Sequence, residues 1–330
     1  MKKLFAIIAF LFCSHVFAQE FTYHKIFTPA NIPGTGGATV SAVYSPSVFK
    51  HGGRYYMLFG VSLSCRNGTV ARDSIAYAVS HDGVSNWVWM GYLIEPNTSV
   101  CLLDTSQWLT GALYQVNDPT VRVQNGQLHV AYTSVFWKYP VNGVECGVIG
   151  TATFNLAQFP LQAPTYRNNL YLVPTTAQCQ AGGFSRPAFL QTNGATEMWF
   201  DSFAQTVSKI QVIGATQLSN ANVVPVAGLT GIADLEVFEK DGCLRVLSNG
   251  VGGLRQQKYI NGAWTAKTQI TSNSLQGWDS WQHGSPNYFK DGNIEQIYMS
   301  GAVSNGAGWY SSLNIGAAIK RADNPLGGCN

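Results

Sequence analysis

Apolar and polar positions along the chain fall into one pattern that recurs five times. A short polar step, usually ending in proline, leads into an apolar run. A glycine turn follows, and then a second run that alternates toward aromatic residues. The copies are Ser45-Pro46-Ser47-Val48-Phe49 with Tyr55-Tyr56-Met57-Leu58-Phe59, Asp118-Pro119-Thr120-Val121 with Leu128-His129-Val130-Ala131-Tyr132, Arg186-Pro187-Ala188-Phe189 with Met198-Trp199-Phe200, Asp234-Leu235-Glu236-Val237-Phe238 with Leu244-Arg245-Val246-Leu247, and Ser285-Pro286-Asn287-Tyr288-Phe289 with Ile297-Tyr298-Met299. The turns between them are Gly52-Gly53, Asn125-Gly126, Asn193-Gly194, Asp241-Gly242 and Asp291-Gly292. Asn-Gly and Asp-Gly between alternating runs mark tight hairpins, because the favoured two-residue turn needs positive φ at both central positions. Proline is tolerated at a strand start, where no N–H need join the ladder.

Further strands are expected at 74–80, 147–154, 209–216, 254–260 and 311–319, giving about four strands per unit. Repeated four-stranded units of this size predict an all-β, five-bladed β-propeller rather than a sandwich, which has no need of the same signature five times. No linker or shift in composition divides the repeats, so residues 19–330 are expected to form one domain.

Composition sharpens this picture. Only 11% of residues are charged, against roughly 25% in an average soluble domain. Disorder is excluded by the 46% hydrophobic and 12% aromatic content. Lys2 and Lys3 precede an apolar stretch from Leu4 to Phe12, and Val16-Phe17-Ala18 has the form of a cleavage site. Residues 1–18 therefore read as a signal peptide, and the mature protein as secreted or periplasmic. Cys13 lacks the small residue before it that a lipid-anchored cysteine needs. Loss of Lys2 and Lys3 lowers the net charge from +3 to +1. A nearly neutral chain has no basic field for nucleic acid and no polybasic patch for membranes, and a monomer is expected.

Six cysteines remain: Cys65, Cys101, Cys146, Cys179, Cys243 and Cys329. An even number in an exported chain suggests disulfides, and pairing of neighbours in sequence (65–101, 146–179, 243–329) is the expectation. Zinc is a poor alternative, since no two cysteines lie within four residues of each other and no His-x-x-x-His spacing occurs. Phosphate-loop, nucleophile-elbow and dinucleotide motifs do not occur.

In a propeller, the first strand of each blade lines the axis, so equivalent positions converge on one mouth. The residue before the proline column is Ser45, Asp118, Arg186, Asp234 and then Ser285, or Gly284 if the shorter fifth turn shifts the register. Glu236, two residues beyond Asp234, is expected on the same strand face. Tyr44, Ser185 and His283 stand one step outside the ring. Two or three carboxyl groups around an arginine suit glycosidic bond cleavage, in which one carboxyl protonates the leaving oxygen and another acts as base or nucleophile. On this reading Asp118, Asp234 and Glu236 are the candidate catalytic residues. The competing reading of Asp118 and Arg186 is an ion pair that closes the channel.

The first-copy segment from Tyr44 to Phe59, the run Ile75-Ala76-Tyr77-Ala78-Val79-Ser80-His81-Asp82-Gly83 with Asn86-Trp87, and Asn117-Asp118-Pro119-Thr120-Val121 together resemble the five-bladed glycoside hydrolases: arabinanases, β-xylosidases, arabinofuranosidases and invertases. The resemblance spans nearly the whole mature chain and implies a carbohydrate partner. It also exposes departures. The family's first-blade aspartate falls on Ser45, and its third-blade glutamate falls on Ser185. Only the second-blade carboxylate, Asp118, is retained. A serine does not replace a carboxylate as acid or base near neutrality without an activator. Two functions therefore stay open: hydrolysis with a non-standard set of carboxylates, or glycan binding without cleavage, as in an adhesin. A propeller that binds other proteins is a third. Arg186, Ser45, Tyr44 and His283 are candidate substrate contacts. Trp137, Trp278, Trp281 and Trp309 lie in polar loops, and Trp278 and Trp281 are the candidates for stacking on sugar rings. No cofactor is required. The resemblance places a histidine near His283 that helps hold a channel ion, which makes Ca²⁺ an expectation to test.

Overall fold

The computed structural model describes residues 21–329 apart from 36, 65–70, 97–112, 137–145, 160–170, 192–195, 203–204, 213–217, 273–276, 280, 304–312 and 322–327. The signal segment and Cys13, Cys65, Cys101, Trp137 and Trp309 lie outside the described residues.

Five antiparallel sheets follow one another around an axis, as the repeat predicts. Blade I comprises Thr39–His51, Arg54–Ser64, Ala71–Ser80 and Val88–Ile94, from the axis outward. Blade II comprises Leu113–Gln124, Gln127–Phe136, Cys146–Asn155 and Tyr171–Leu172. Blade III comprises Phe184–Gln191, Thr196–Ser202, Thr206–Gln211 and Val224–Thr230. Blade IV comprises Glu236–Lys240, Cys243–Ser248 and Arg255–Ile260, edged by the short strands Ala263–Trp264 and Thr268–Gln269. Blade V takes Gln282–Asp291, Ile294–Ala302 and Asn314–Arg321 from the end of the chain and its outermost strand, Thr22–Phe27, from the beginning. The two ends of the chain thus close the ring within one sheet.

The cores lie between blades rather than within them. Val43, Met57 and Phe59 pack on Tyr298 and Ile315 where blades I and V meet. Leu58 and Ile75 meet Val116 and Val130 between I and II. Equivalent clusters join II to III, III to IV and IV to V. The inner strands therefore bury both faces and carry few charges, while outer strands such as Val224–Thr230 stay largely exposed.

The proline step has one backbone form throughout. Ser45, Asp118, Arg186, Asp234 and Ser285 all have left-handed φ, at 49°, 48°, 51°, 53° and 44°. The fifth member of the column is therefore Ser285 rather than Gly284. In blades I, II, III and V the ladder slips at this step, between Tyr44 and Ser47, Asn117 and Thr120, Ser185 and Ala188, and Gly284 and Asn287. A bulge of this kind inserts an extra residue and re-aims the side chain. Proline at the next position disfavours the right-handed helical region for its predecessor, but Asp234, followed by Leu235, takes the same left-handed step without one.

Hydrogen bonds tie the inner strands into a ring. Two residues past the proline column, the N–H of Val48 donates to Asn287 Oδ1 (2.9 Å), that of Val121 to Ser47 Oγ (3.1 Å), that of Phe189 to Thr120 Oγ1 (3.3 Å) and that of Tyr288 to Glu236 Oε1 (3.4 Å). In each case the acceptor is the residue one past the column in the preceding blade. At the III–IV joint that position is Ala188, which has no side-chain acceptor.

One predicted disulfide, Cys146–Cys179, is formed and joins the third strand of blade II to the short helix Thr176–Gln180. The expected 243–329 pair is not closed. Both cysteines are unbridged, although the two thiols lie within hydrogen-bonding reach of each other, and Cys329 Sγ also donates to Asp241 O at 3.3 Å.

Candidate active site

At one end of the axis the blades frame a cavity of about 540 Å³. Its wall includes Asp118, Arg186 and Asp234 from the column, with Tyr44 and Trp281 at its sides. Beneath it the axis narrows to a neck of about 30 Å³, lined by the five column residues and by Glu236. A neck of that size holds a water or two and no sugar ring.

Asp118 is a buried acid of the cavity wall. Ser45 Oγ donates to its Oδ1 at 2.5 Å, and Thr133 Oγ1 lies 3.4 Å from Oδ2. Burial, reinforced by the charge of Asp234, pushes its carboxyl up to about 6 against the opposing pull of Ser45 and Arg186. Asp234 is ion-paired through Oδ1 with Arg186 (3.1 Å), and its Oδ2 accepts from Asn249 Nδ2 (3.2 Å). Arg186 is clamped on its other side by Asp201 Oδ1, 2.8 Å from Nε. Burial works against the guanidinium charge, but Asp234, Asp201 and Asp118 outweigh it and hold Arg186 firmly protonated.

Asp201 is an organiser that the sequence reading missed. It is fully buried and accepts from Ser185 Oγ (2.8 Å), Arg186 Nε and the backbone N–H of Asp234 (2.9 Å). Burial raises its carboxyl, with Arg186 opposing. Its place in the fold repeats. Asp201 pairs with Ser185 across the first hairpin of its blade, as Thr133 pairs with Asn117 and Ser300 with Gly284. Each of these three side chains accepts the N–H of a column residue in the next blade: Asp201 that of Asp234, Thr133 that of Arg186 (2.8 Å) and Ser300 that of Ser45 (2.9 Å). In blade I the matching residue is Gly60, and the Tyr44 ring lies where its Cβ would be, 2.9 Å from an ideal Cβ position.

The remaining candidates separate. Trp281 is half-buried in the cavity wall. Trp278 is 4% exposed and packs against Gly301 and Gly316, whose missing side chains leave the slot it fills; it belongs to the core between blades IV and V and not to the cavity. His283 is fully buried beside it, with Nε2 2.6 Å from Asp279 Oδ2 and Nδ1 2.8 Å from Thr271 Oγ1. Both ring nitrogens are engaged away from the axis. The residues present therefore do not fit a channel Ca²⁺ held through His283, and among the described residues no group of three or more His, Cys, Asp or Glu is placed to hold a metal. Glu236 faces the neck, where it serves the ring of inter-blade bonds. Asp234 lines the neck as well, so the two acids share it, but of the two only Asp234 also reaches the wider cavity.

No family model matches the chain, and no curated protein matches it. Solved structures do. Among them are β-1,2-mannobiose phosphorylase from Listeria innocua (TM-score 0.60, 10% identity, 91% of this chain and 97% of that one), the catalytic domain of an α-L-arabinofuranosidase from Coprinopsis cinerea (0.57, 14%, 91% and 97%) and an arabinanase from Bacillus subtilis (0.55, 12%, 89% and 98%). At these identities the likeness is one of fold: the protein has the five-bladed β-propeller shared by these carbohydrate-active enzymes.

Proposed function

We propose that this protein is an exported glycoside hydrolase that cleaves a poly- or oligosaccharide in the cavity at the propeller axis. Asp118 is its proton donor and Asp234 the paired carboxylate. One observation carries the reading. At the cavity wall a buried carboxyl raised to about 6 stands within the field of a second carboxyl that is ion-paired to arginine. A carboxyl able to hold a proton beside a second carboxyl held by an arginine is what glycosidic cleavage uses. Asp118 protonates the leaving oxygen. Asp234, oriented by Arg186 and Asn249, acts on water or on the sugar. Likeness in fold to arabinan- and arabinofuranoside-cleaving enzymes supports the substrate class. Phosphorolysis, the reaction named for the Listeria protein, is less well served. Among the described residues, Arg186 is the one cation in a wall that also holds Asp73, Asp118 and Asp234, and that field opposes a phosphate.

The test is release of reducing ends from arabinan, xylan, mannan and fructan, with parent, Asp118→Asn and Asp234→Asn proteins compared. Hydrolysis by the parent and a loss of roughly 100-fold or more in Asp118→Asn is expected, the usual weight of a general acid. Since Asp118 works protonated, kcat/KM falls as pH rises through about 6. Equal activity in all three proteins overturns the carboxylate assignment. Saturable binding without turnover makes the protein a glycan-binding propeller.

A further inference from the structure

The inner strand of blade II, Leu113–Gln124, touches two cavities. It lines the axial cavity at Gln115 and Asn117, passes the neck at Asp118 to Thr120, and then lines a second cavity, of about 450 Å³, at Arg122 and Gln124. Among the described residues the two cavities share no wall residue. The repeat shows what makes room for the second. Four residues past the column stand Phe49, Arg122, Leu190, Phe238 and Phe289. In four blades this side chain is apolar and packs into the joint with the next blade: Phe49 at I–II, Leu190 at III–IV, Phe238 at IV–V and Phe289 at V–I. Blade II has an arginine there instead. Arg122 is 8% exposed and reaches across the joint, where its Nη1 donates to Leu190 O at 3.2 Å. His129 stands opposite Arg122 in the hairpin, and Thr153 opposite His129 on the next strand. The three make a polar row on one face of blade II, and all line the cavity together with Gln127. Phe189 and Leu218 face them from the blade III side.

The row is within reach of a ligand. His129 is half-buried, and Gln127 and Thr153 are exposed. Burial and the charge of Arg122 lower His129 from its ordinary value, so near neutrality the ring is an uncharged hydrogen-bonding group. Arg122 stays charged. Among the described residues the wall holds no Asp or Glu, so its field is the reverse of that at the axis, where Asp73, Asp118 and Asp234 outnumber Arg186. A guanidinium drawn partly out of water offers a planar fork of N–H donors, which suits a carboxylate or a phosphate. The cavity is of a size that holds a small molecule around such a group. We propose that it is a second binding site, for a sugar that carries an oxyanion, either a uronic acid or a sugar phosphate. Arg122 takes the oxyanion, and His129, Gln127 and Thr153 take hydroxyls. Binding here is independent of hydrolysis at the axis.

Calorimetric titration with D-glucuronate, glucose 6-phosphate, D-glucose and inorganic phosphate tests it. One of the two charged sugars is expected to bind at least tenfold more tightly than glucose, and to lose affinity as salt is raised. Arg122→Met is expected to weaken that sugar by roughly tenfold or more, and His129→Ala by several-fold, since a charge-assisted or partly buried hydrogen bond is lost. Arg186→Met, at the axis, is expected to leave the affinity unchanged. Arg122 also ties blade II to blade III, so His129→Ala and Thr153→Val, changes at accessible positions, carry the test if Arg122→Met does not fold. Preference for glucuronate assigns a uronic acid, and preference for glucose 6-phosphate a phosphorylated sugar; either upholds the site. Affinity that is lost in Arg186→Met but kept in Arg122→Met and His129→Ala places the anion at the axis and overturns the second site. So does the absence of saturable binding by either charged sugar. Inorganic phosphate binding as tightly as the better sugar overturns the role of the hydroxyls, and glucose binding as tightly overturns that of the charge. Release of reducing ends from glycans is scored separately: a protein that binds a charged sugar here and cleaves nothing keeps this site and loses the hydrolytic reading, and one that cleaves glycans without binding here does the reverse.

Discussion

At the scale of single residues, Glu236 shows how position in a repeat decides role. By counting along a strand it belongs with Asp234. By place in the repeat it is the counterpart of Ser47, Thr120 and Asn287, the side chains that clasp one blade to another. Burial pushes its carboxyl up to about 8, although Tyr288 N–H and Asn287 Nδ2 favour the charge. The folded state therefore keeps a proton that the unfolded chain releases near the ordinary value of 4.5. Stability from this group falls as pH rises from about 4.5 to 8, and the full cost is present above that window. Glu236→Gln keeps the acceptor and removes the charge. Its melting temperature is expected to exceed the parent's at pH 8–9 and to converge on it near pH 4.5. Each kcal/mol gained is worth roughly 2 °C in a chain of this length. Hydrolytic activity is retained. Lost activity with no pH-dependent gain in melting temperature returns Glu236 to the catalytic set.

At the scale of elements, the legible part of the site is the part set by local chemistry. The column could be read because a polar residue and a following proline, with a glycine turn five or six residues on, recur in the sequence, and the polar residue takes the same left-handed step in the structure. Even Asp234, followed by leucine, adopts it. Asp73 and Asp201 escaped because they lie on third and second strands, whose height at the cavity depends on hairpin register. Asp201 stands across from Ser185 and Asp73 across from Ser62, and neither pairing is encoded by a nearby motif. A signal was present in both cases: each is an acid at the rim end of a strand whose middle is apolar, Ile75 to Val79 for Asp73 and Met198 to Phe200 for Asp201. Trp278 was misread because its slot is made by Gly301 and Gly316, which follow it in sequence by more than twenty residues. The clasps make a prediction at this scale. Ser47→Ala strands the buried N–H of Val121, and Thr120→Ala that of Phe189, each at an expected cost of about 1–3 kcal/mol in denaturant unfolding. Thr120→Ser keeps the acceptor and recovers most of the loss. If Thr120→Ser is as unstable as Thr120→Ala, the methyl group matters and the clasp does not.

At the scale of the whole molecule, five blades are stable only as a closed ring, and the closure is the feature that local patterns hide. Thr22–Phe27 pairs with Asn314–Arg321, a register of nearly 300 residues' separation that no short motif announces. Phe27 then does more than finish a sheet. It is 4% exposed and stacks on Phe59 of blade I at 5.3 Å, so one side chain spans the seam between the last blade and the first. An open seam would expose the partners it covers, Phe59 and Ile315 among them, in a chain with few charges to keep such a surface apart from its neighbours. Phe27→Ala should cost about 3–5 kcal/mol, as for other buried phenylalanines. A chain beginning at residue 28 should lose at least as much, and a peptide of residues 19–28 added in trans should raise its melting temperature in a concentration-dependent way. Equal melting temperatures for the chains beginning at 19 and at 28 would show that blade V closes on blade I without its outermost strand. The low charge of the chain would then owe nothing to the seam.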